Sequence, residues 1–130
     1  MEIKTGLSAR SEKTVEEADT AGAVASGAAD VFSTPSMIAL MENAAFIAVQ
    51  PYLEEGQSTV GAGINAKHIA ATPVGMNVWA EAVLTSADGR KLEFDITAFD
   101  EHEKIGIASH TRYVIDEKRF MQKATGKARR

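Results

Sequence analysis

Apolar residues recur along this chain in two different rhythms. In "STPSMIALMENAAFIAVQPYL" (33–53), Met37, Ile38, Leu40, Met41, Ala44, Ala45, Phe46, Ile47, Ala48 and Val49 cover nearly every face of a helix. A helix apolar on most sides is buried on most sides. Thr34 reads as its N-cap, Pro35 as the first helical residue, and Pro51 marks its end. "LEEGQ" then turns the chain. From there the period drops to two, the signature of strands. Val60, Ala62, Ile64, Ala66, His68 and Ala70 are predicted to share one face of a second strand, and Met76, Val78, Ala80, Ala82 and Leu84 a face of the third. "ADGR" makes an Asp-Gly hairpin. Leu92, Phe94, Ile96 and Ala98 line the fourth strand. After a turn at "DEHEK", Ile105, Ile107, Ser109, Thr111, Tyr113 and Ile115 line the fifth. A weaker first strand is expected around Leu7 to Val15. Ala18 to Asp30 is rich in small residues and reads as a mobile connection with at most one helical turn.

The order is strand, long apolar helix, then four antiparallel strands: an α+β domain spanning residues 1–130. A sheet with one apolar face needs cover, and the helix is the only adequate cover. A five-stranded antiparallel sheet wrapped around one central helix follows. The helix carries more apolar surface than one sheet can bury, which predicts a second subunit.

Composition narrows the chemistry. The 130 residues contain no cysteine, which removes disulfides, thiolate metal sites and a cysteine nucleophile together. The first residues lack the apolar core of a signal peptide. The apolar run from Met37 to Val49 is interrupted by Glu42 and Asn43 and is too short to span a bilayer. A cytoplasmic protein with neither a nucleic-acid nor a membrane partner is expected. Net charge is −4, but six of the 14 basic residues lie between Lys118 and Arg130, and the rest of the chain carries −10. A basic tail can meet phosphates, although a frayed, solvated terminus is the plainer account of it.

Few residues can carry chemistry. Glu42 is the only charged residue between Pro35 and Leu53. It either lies on a solvated stripe beside Asn43 or is kept on an apolar helix for function. His68 is in phase with the predicted helix-facing residues; on pattern alone a hydrogen-bonded core histidine accounts for it, and a neutral imidazole there could also move protons. Thr34 is explained by capping, while the helix start also offers free N–H groups to an oxyanion. "GAGINA" (61–66) matches G-x-G-x-x-A, but no helix follows, so it is not a dinucleotide loop. Its glycines suggest close approach by a ligand or another backbone, making Gly61, Ala62 and Gly63 candidate substrate contacts. His102 and His110 form no ligand spacing with His68, and neither a metal nor another cofactor is expected.

The segments "FSTPSMIALMENAA", "PYLEEGQSTVGAGINAKHIAATPVGM", "DGRKLEF" and "EKIGIASHTRYVID" resemble the fluoroacetyl-CoA thioesterase-like family of the hotdog superfamily, over about Phe32 to Phe120. "H-x-A-A-T-P-x-G" is the most specific piece. The resemblance implies a hotdog fold working as a homodimer with sites at the subunit interface. It places the family's catalytic threonine, glutamate and histidine on Thr34, Glu42 and His68, and its glycine near the thioester on Gly61. "AGAVASGAAD" before the helix supplies no bulky aromatic lid, so a small acyl-CoA in general, rather than fluoroacetyl-CoA, is the expected substrate.

The implied reaction is metal-free hydrolysis of an acyl thioester to free acid and CoA. Glu42 acts as nucleophile or base, His68 handles protons and the leaving thiolate, and Thr34 positions the carbonyl or carboxylate. Eight residues on one helix separate Thr34 from Glu42 by about 12 Å, so a second subunit or the substrate must bridge them. Two rivals share the fold: a non-catalytic acyl-CoA or small-ligand binder, and an enoyl-thioester hydratase.

Overall fold

The computed structural model describes residues 3–130. Five strands form one antiparallel sheet: β1 (Ser8–Thr14), β2 (Gln57–His68), β3 (Asn77–Asp88), β4 (Lys91–Asp100) and β5 (Lys104–Asp116), in the order β1-β3-β4-β5-β2. Helix α1 (Thr34–Val49) lies against the concave face, closest to β1 and β3. Met37, Leu40, Met41, Ala44, Ala45, Ala48 and Val49 seal against the sheet, whose inner face supplies Val78, Ala80, Ala82 and Leu84 from β3 and Leu92, Phe94, Ile96 and Ala98 from β4. These are the faces the alternation predicts, and the wrapped-helix hotdog arrangement follows from them. The alanines facing α1 from β3 let helix and sheet approach closely, while Met37 and Met41 fill the uneven gaps left between larger groups.

Three strands carry an extra residue; in β3 it is Thr85, beyond the core-facing run, and in the other two it changes which residues face inward. In β2, Gly61 pairs with Arg112 and Gly63 with Thr111, so Ala62 is an extra residue in a bulge. A bulge reverses the phase of everything beyond it. Thr59 and Gly61 therefore face inward before it, Ile64, Ala66 and His68 after it, and Val60 does not share their face. In β5, Ile105 is the extra residue, since Ala98 pairs with Gly106 and Phe99 with Lys104. The inward row is Gly106, Ala108, His110, Arg112 and Val114. Ile107 and Tyr113 point outward, about 40% exposed (41% and 39%), so the predicted face of β5 is the wrong one.

The other departures lie at helix ends and loops. Ser33, not Thr34, caps α1: its Oγ accepts from the Ser36 N–H at 3.1 Å, and Thr34 is the first helical residue. In the small-residue segment from Ala18 to Asp30, Ala18 and Asp19 belong to one short 3-10 turn (Glu17–Asp19) and the rest forms no helix. It closes on itself through Ala21 N–H to Val31 O and through bridges pairing Thr20 with Phe32 and Val31 with Pro73. The basic C-terminus is helical over most of its length. Glu117–Gly126 form α2, capped by the Asp116 side chain, which accepts from the Arg119 N–H at 2.9 Å. None of its residues is buried. Among the described residues no helix is long and apolar enough to cross a membrane.

Candidate active site

The N-terminal end of α1 is held where β2 ends. The Phe32 N–H donates to Thr72 O at 2.8 Å, and the Thr72 hydroxyl donates to the buried Asp100 carboxylate at 2.8 Å. "TPVG" is thus a clamp that fixes residues 31–33 beside the strand end. Gly106, which pairs with His68, completes the fit. A Cβ on Gly106 would lie 2.5 Å from Met37 Sδ, so the glycine leaves the space that the end of the Met37 side chain fills.

As a result Thr34 Oγ1 lies 2.8 Å from His68 Nδ1, a hydrogen bond between residues 34 positions apart. Because Ser33 does the capping, the Thr34 hydroxyl is free for this contact. His68 Nε2 is buried and has no hydrogen-bond partner of good geometry among the described residues. The Phe32 ring stands edge-on to the imidazole at 6.4 Å. Burial pushes the imidazole below its ordinary value of 6.5, with the Ala70 backbone acting in the opposite direction. The pair opens into a cleft of about 350 Å³ walled by Phe32, Ser33, Ile69 and Ala70, with Ser26 from the small-residue loop. An imidazole kept neutral beside a hydroxyl can take the hydroxyl's proton or give one back. The next helix-start donors are committed, since Pro35 has no N–H and the Ser36 and Met37 N–H groups donate to Ser33.

Glu42 belongs to a second group, two turns along α1. Its Oε2 lies 3.9 Å from Arg112 Nη1 and 4.0 Å from His110 Nε2, and the carboxylate side chain is 40% exposed. Gly61 faces it directly. A Cβ built there would come within 2.7 Å of Glu42 Oε2, 3.2 Å of His110 Cε1 and 3.4 Å of Arg112 Nη1. Glycine is required for space, not for an unusual backbone angle. Of the three substrate-contact candidates, Gly61 borders the carboxylate. Ala62 is the bulge residue, and the Gly63 carbonyl accepts from His110 Nδ1 at 2.7 Å. Gly61→Ala is therefore expected to displace the Glu42 carboxylate and lower kcat with little change in melting temperature, measured by steady-state kinetics and thermal denaturation on one preparation.

Arg112 and His110 are the site neighbours that alternation misses. Both are buried, at 6% and 3% exposure. Arg112 is held by Thr59: Nε donates to Oγ1 and Nη2 to the carbonyl, each at 2.9 Å. The Phe46 ring faces the guanidinium at 5.8 Å. The signal in the sequence is a strand with His and Arg two apart, paired to a strand carrying two glycines; small residues opposite large polar ones mark a filled pocket. Within the chain the Thr34–His68 pair and the Glu42 group are separate clusters, each built around a residue of α1.

A family model described as fluoroacetyl-CoA-specific thioesterase matches residues 15–118. The fluoroacetyl-CoA thioesterase of Streptantibioticus cattleyicolor is 41% identical over 98 residues, 75% of this chain and 70% of that protein. A crystal structure of a fluoroacetyl-CoA-specific thioesterase mutant in complex with fluoroacetate and CoA superposes with TM-score 0.85 at 34% identity, over 91% of this chain and 99% of that one. A hot-dog-like protein from Thermanaerovibrio acidaminovorans, 19% identical, shares the fold with TM-score 0.86 over 96% and 93% of the two chains. The helix-start threonine facing a strand-end histidine thus sits in a chain that belongs to the fluoroacetyl-CoA-specific thioesterase family.

Proposed function

We propose that the protein hydrolyses a small acyl-CoA thioester to the free acid and CoA, as a cytoplasmic homodimer without a metal. The observation that carries this reading is the 2.8 Å contact between Thr34 and a partly buried His68 at the mouth of a cleft. Glu42 serves as base toward water or as nucleophile toward the thioester carbonyl. Either route has the same balance: a C–O bond forms, the C–S bond breaks, one water is consumed, and the proton that water gives up passes through neutral His68 to the departing thiolate. Thr34 orients His68 and the substrate carbonyl. The cleft is walled by Ser26, Ile69 and Ala70 beside the Phe32 ring, a lining that favours a small acyl group without selecting fluoroacetyl. Release of free thiol from a panel of acyl-CoAs tests the reaction. Loss of enoyl absorbance without thiol release would instead indicate a hydratase, and binding without turnover a ligand-binding protein.

The homodimer is supported by two features. β2 is an edge strand, leaving a row of backbone groups available for pairing. Around Glu42 the stripe of Ile38, Ala39 and Phe46 is incompletely covered by its own sheet. Two-fold antiparallel pairing of β2 edges would set the Thr34–His68 end of one protomer beside the Glu42 region of the other. Glu42→Gln and His68→Ala chains co-expressed as mixed dimers should then recover roughly a quarter of wild-type activity, because one of the two sites in each heterodimer is intact. If each site is built within one chain, the mixture stays inactive.

The same assignment gives a pH dependence. Burial lowers the His68 value, so a neutral base survives below pH 6.5. The acid limb of kcat/KM should have its midpoint below 6.5 and should disappear in His68→Gln, as measured in a pH–rate series.

A further inference from the structure

A buried polar side chain needs a partner for each polar atom, and the partners of His110 determine its state. Its Nδ1 faces the Gly63 carbonyl at 2.7 Å, which can only accept. Its Nε2 faces Arg112 Nη1 at 3.2 Å, which can only donate. An acceptor on one side and a donor on the other select the neutral Nδ1–H tautomer. Phe94 closes the site with its ring 6.3 Å away. Burial, the largest influence, lowers the affinity of His110 for a second proton, opposed by the Gly63 bond; Arg112 lowers it further and Glu42 raises it. The imidazole is therefore a fixed acceptor for the one guanidinium nitrogen that faces Glu42.

That acceptor has a consequence for the carboxylate. Thr59 holds Nε and Nη2 of Arg112, and His110 takes Nη1. The guanidinium stays 3.9 Å from Glu42 Oε2, near enough to feel its charge and too far for a hydrogen bond. A bidentate arginine–carboxylate bond would weaken Glu42 as base or nucleophile. Resting on the assignment of Glu42 above, we propose that His110 is a positioning residue that holds Arg112 short of a direct bond with Glu42 and so keeps the carboxylate available for reaction.

Two conservative variants separate this from a clasp on the β2 bulge. Glutamine places an acceptor near Nε2 and can satisfy Arg112. Asparagine places a donor near Nδ1 and can hold the Gly63 carbonyl, but leaves Arg112 Nη1 without its acceptor. His110→Gln should retain kcat. His110→Asn should lose roughly 10–100-fold in kcat with KM little changed, the cost of a misplaced hydrogen bond to a charged group. In the Glu42→Gln background, His110→Asn should cost nothing further, because its effect runs through Glu42. In folded His110→Asn a crystal structure should show Arg112 Nη1 moved into direct hydrogen-bond contact with Glu42, and in His110→Gln it should stay short of that contact, near the native 3.9 Å. Wild-type kcat with Arg112 unmoved in folded His110→Asn would overturn the proposal, as would an Nε2–H tautomer of His110 in ¹⁵N spectra of the wild-type protein. If the wild-type protein hydrolyses no acyl-CoA, the thioesterase reading fails by itself, and the Arg112 position and the tautomer still decide the role of His110.

Discussion

Glu42→Gln is expected to keep the fold and to lower kcat by roughly 10²–10⁴-fold, the range over which a positioned acid–base group contributes. The amide has the same shape as the carboxylate. At 40% exposure of the native side chain it can reach water, so its introduction buries no unsatisfied group. Arg112 loses an opposite charge at 3.9 Å but keeps its bonds to Thr59 and His110. Melting temperature should therefore move little while turnover collapses, and calorimetry and thiol-release kinetics on one sample separate the two effects. A wild-type rate would return Glu42 to the solvated face of α1.

His68 carries the second large effect. His68→Ala removes the partner of Thr34 and leaves the wall facing Phe32 incomplete, so it is expected to lower both rate and melting temperature. His68→Gln fills more of the space and should recover stability but not rate, leaving a deficit of roughly 10²–10⁴-fold. A purely structural histidine gives the reverse: rate falls only with the folded fraction, and glutamine restores both. Thr34 supplies a companion test. Since Ser33 is the cap, Thr34→Val removes the hydroxyl without uncapping α1, and any loss of rate belongs to the contact with His68.

The helix and the third and fourth strands were legible because packing alone determines them. Val78, Ala80, Ala82 and Leu84, and Leu92, Phe94, Ile96 and Ala98, alternate without interruption and bury one face against α1. The edges of the site were not. A bulge costs one residue and leaves no mark in a hydrophobicity pattern, so the extra Ala62 put Val60 on the wrong face while His68 stayed on the right one. In β5 the pattern pointed the wrong way, because Ile107 and Tyr113 are more apolar than the His110 and Arg112 they alternate with. Burying those two depends on partners from β2 (Thr59 and the Gly63 carbonyl) that are about 50 residues away in sequence, separations of 53 and 47. The Thr34–His68–Glu42 assignment came through resemblance. Residue pattern alone explained Thr34 as a cap, and a serine one position earlier relieved it of that duty.

Free-thiol release from a small acyl-CoA by wild-type protein and by Glu42→Gln, at equal folded concentration, tests the central claim most directly. The account predicts steady turnover in the wild type, stoichiometric in thiol and acid, and a rate lower by roughly 10²–10⁴-fold in the variant. Equal thiol release by the two proteins, or none by the wild type across acyl chain lengths, would contradict it.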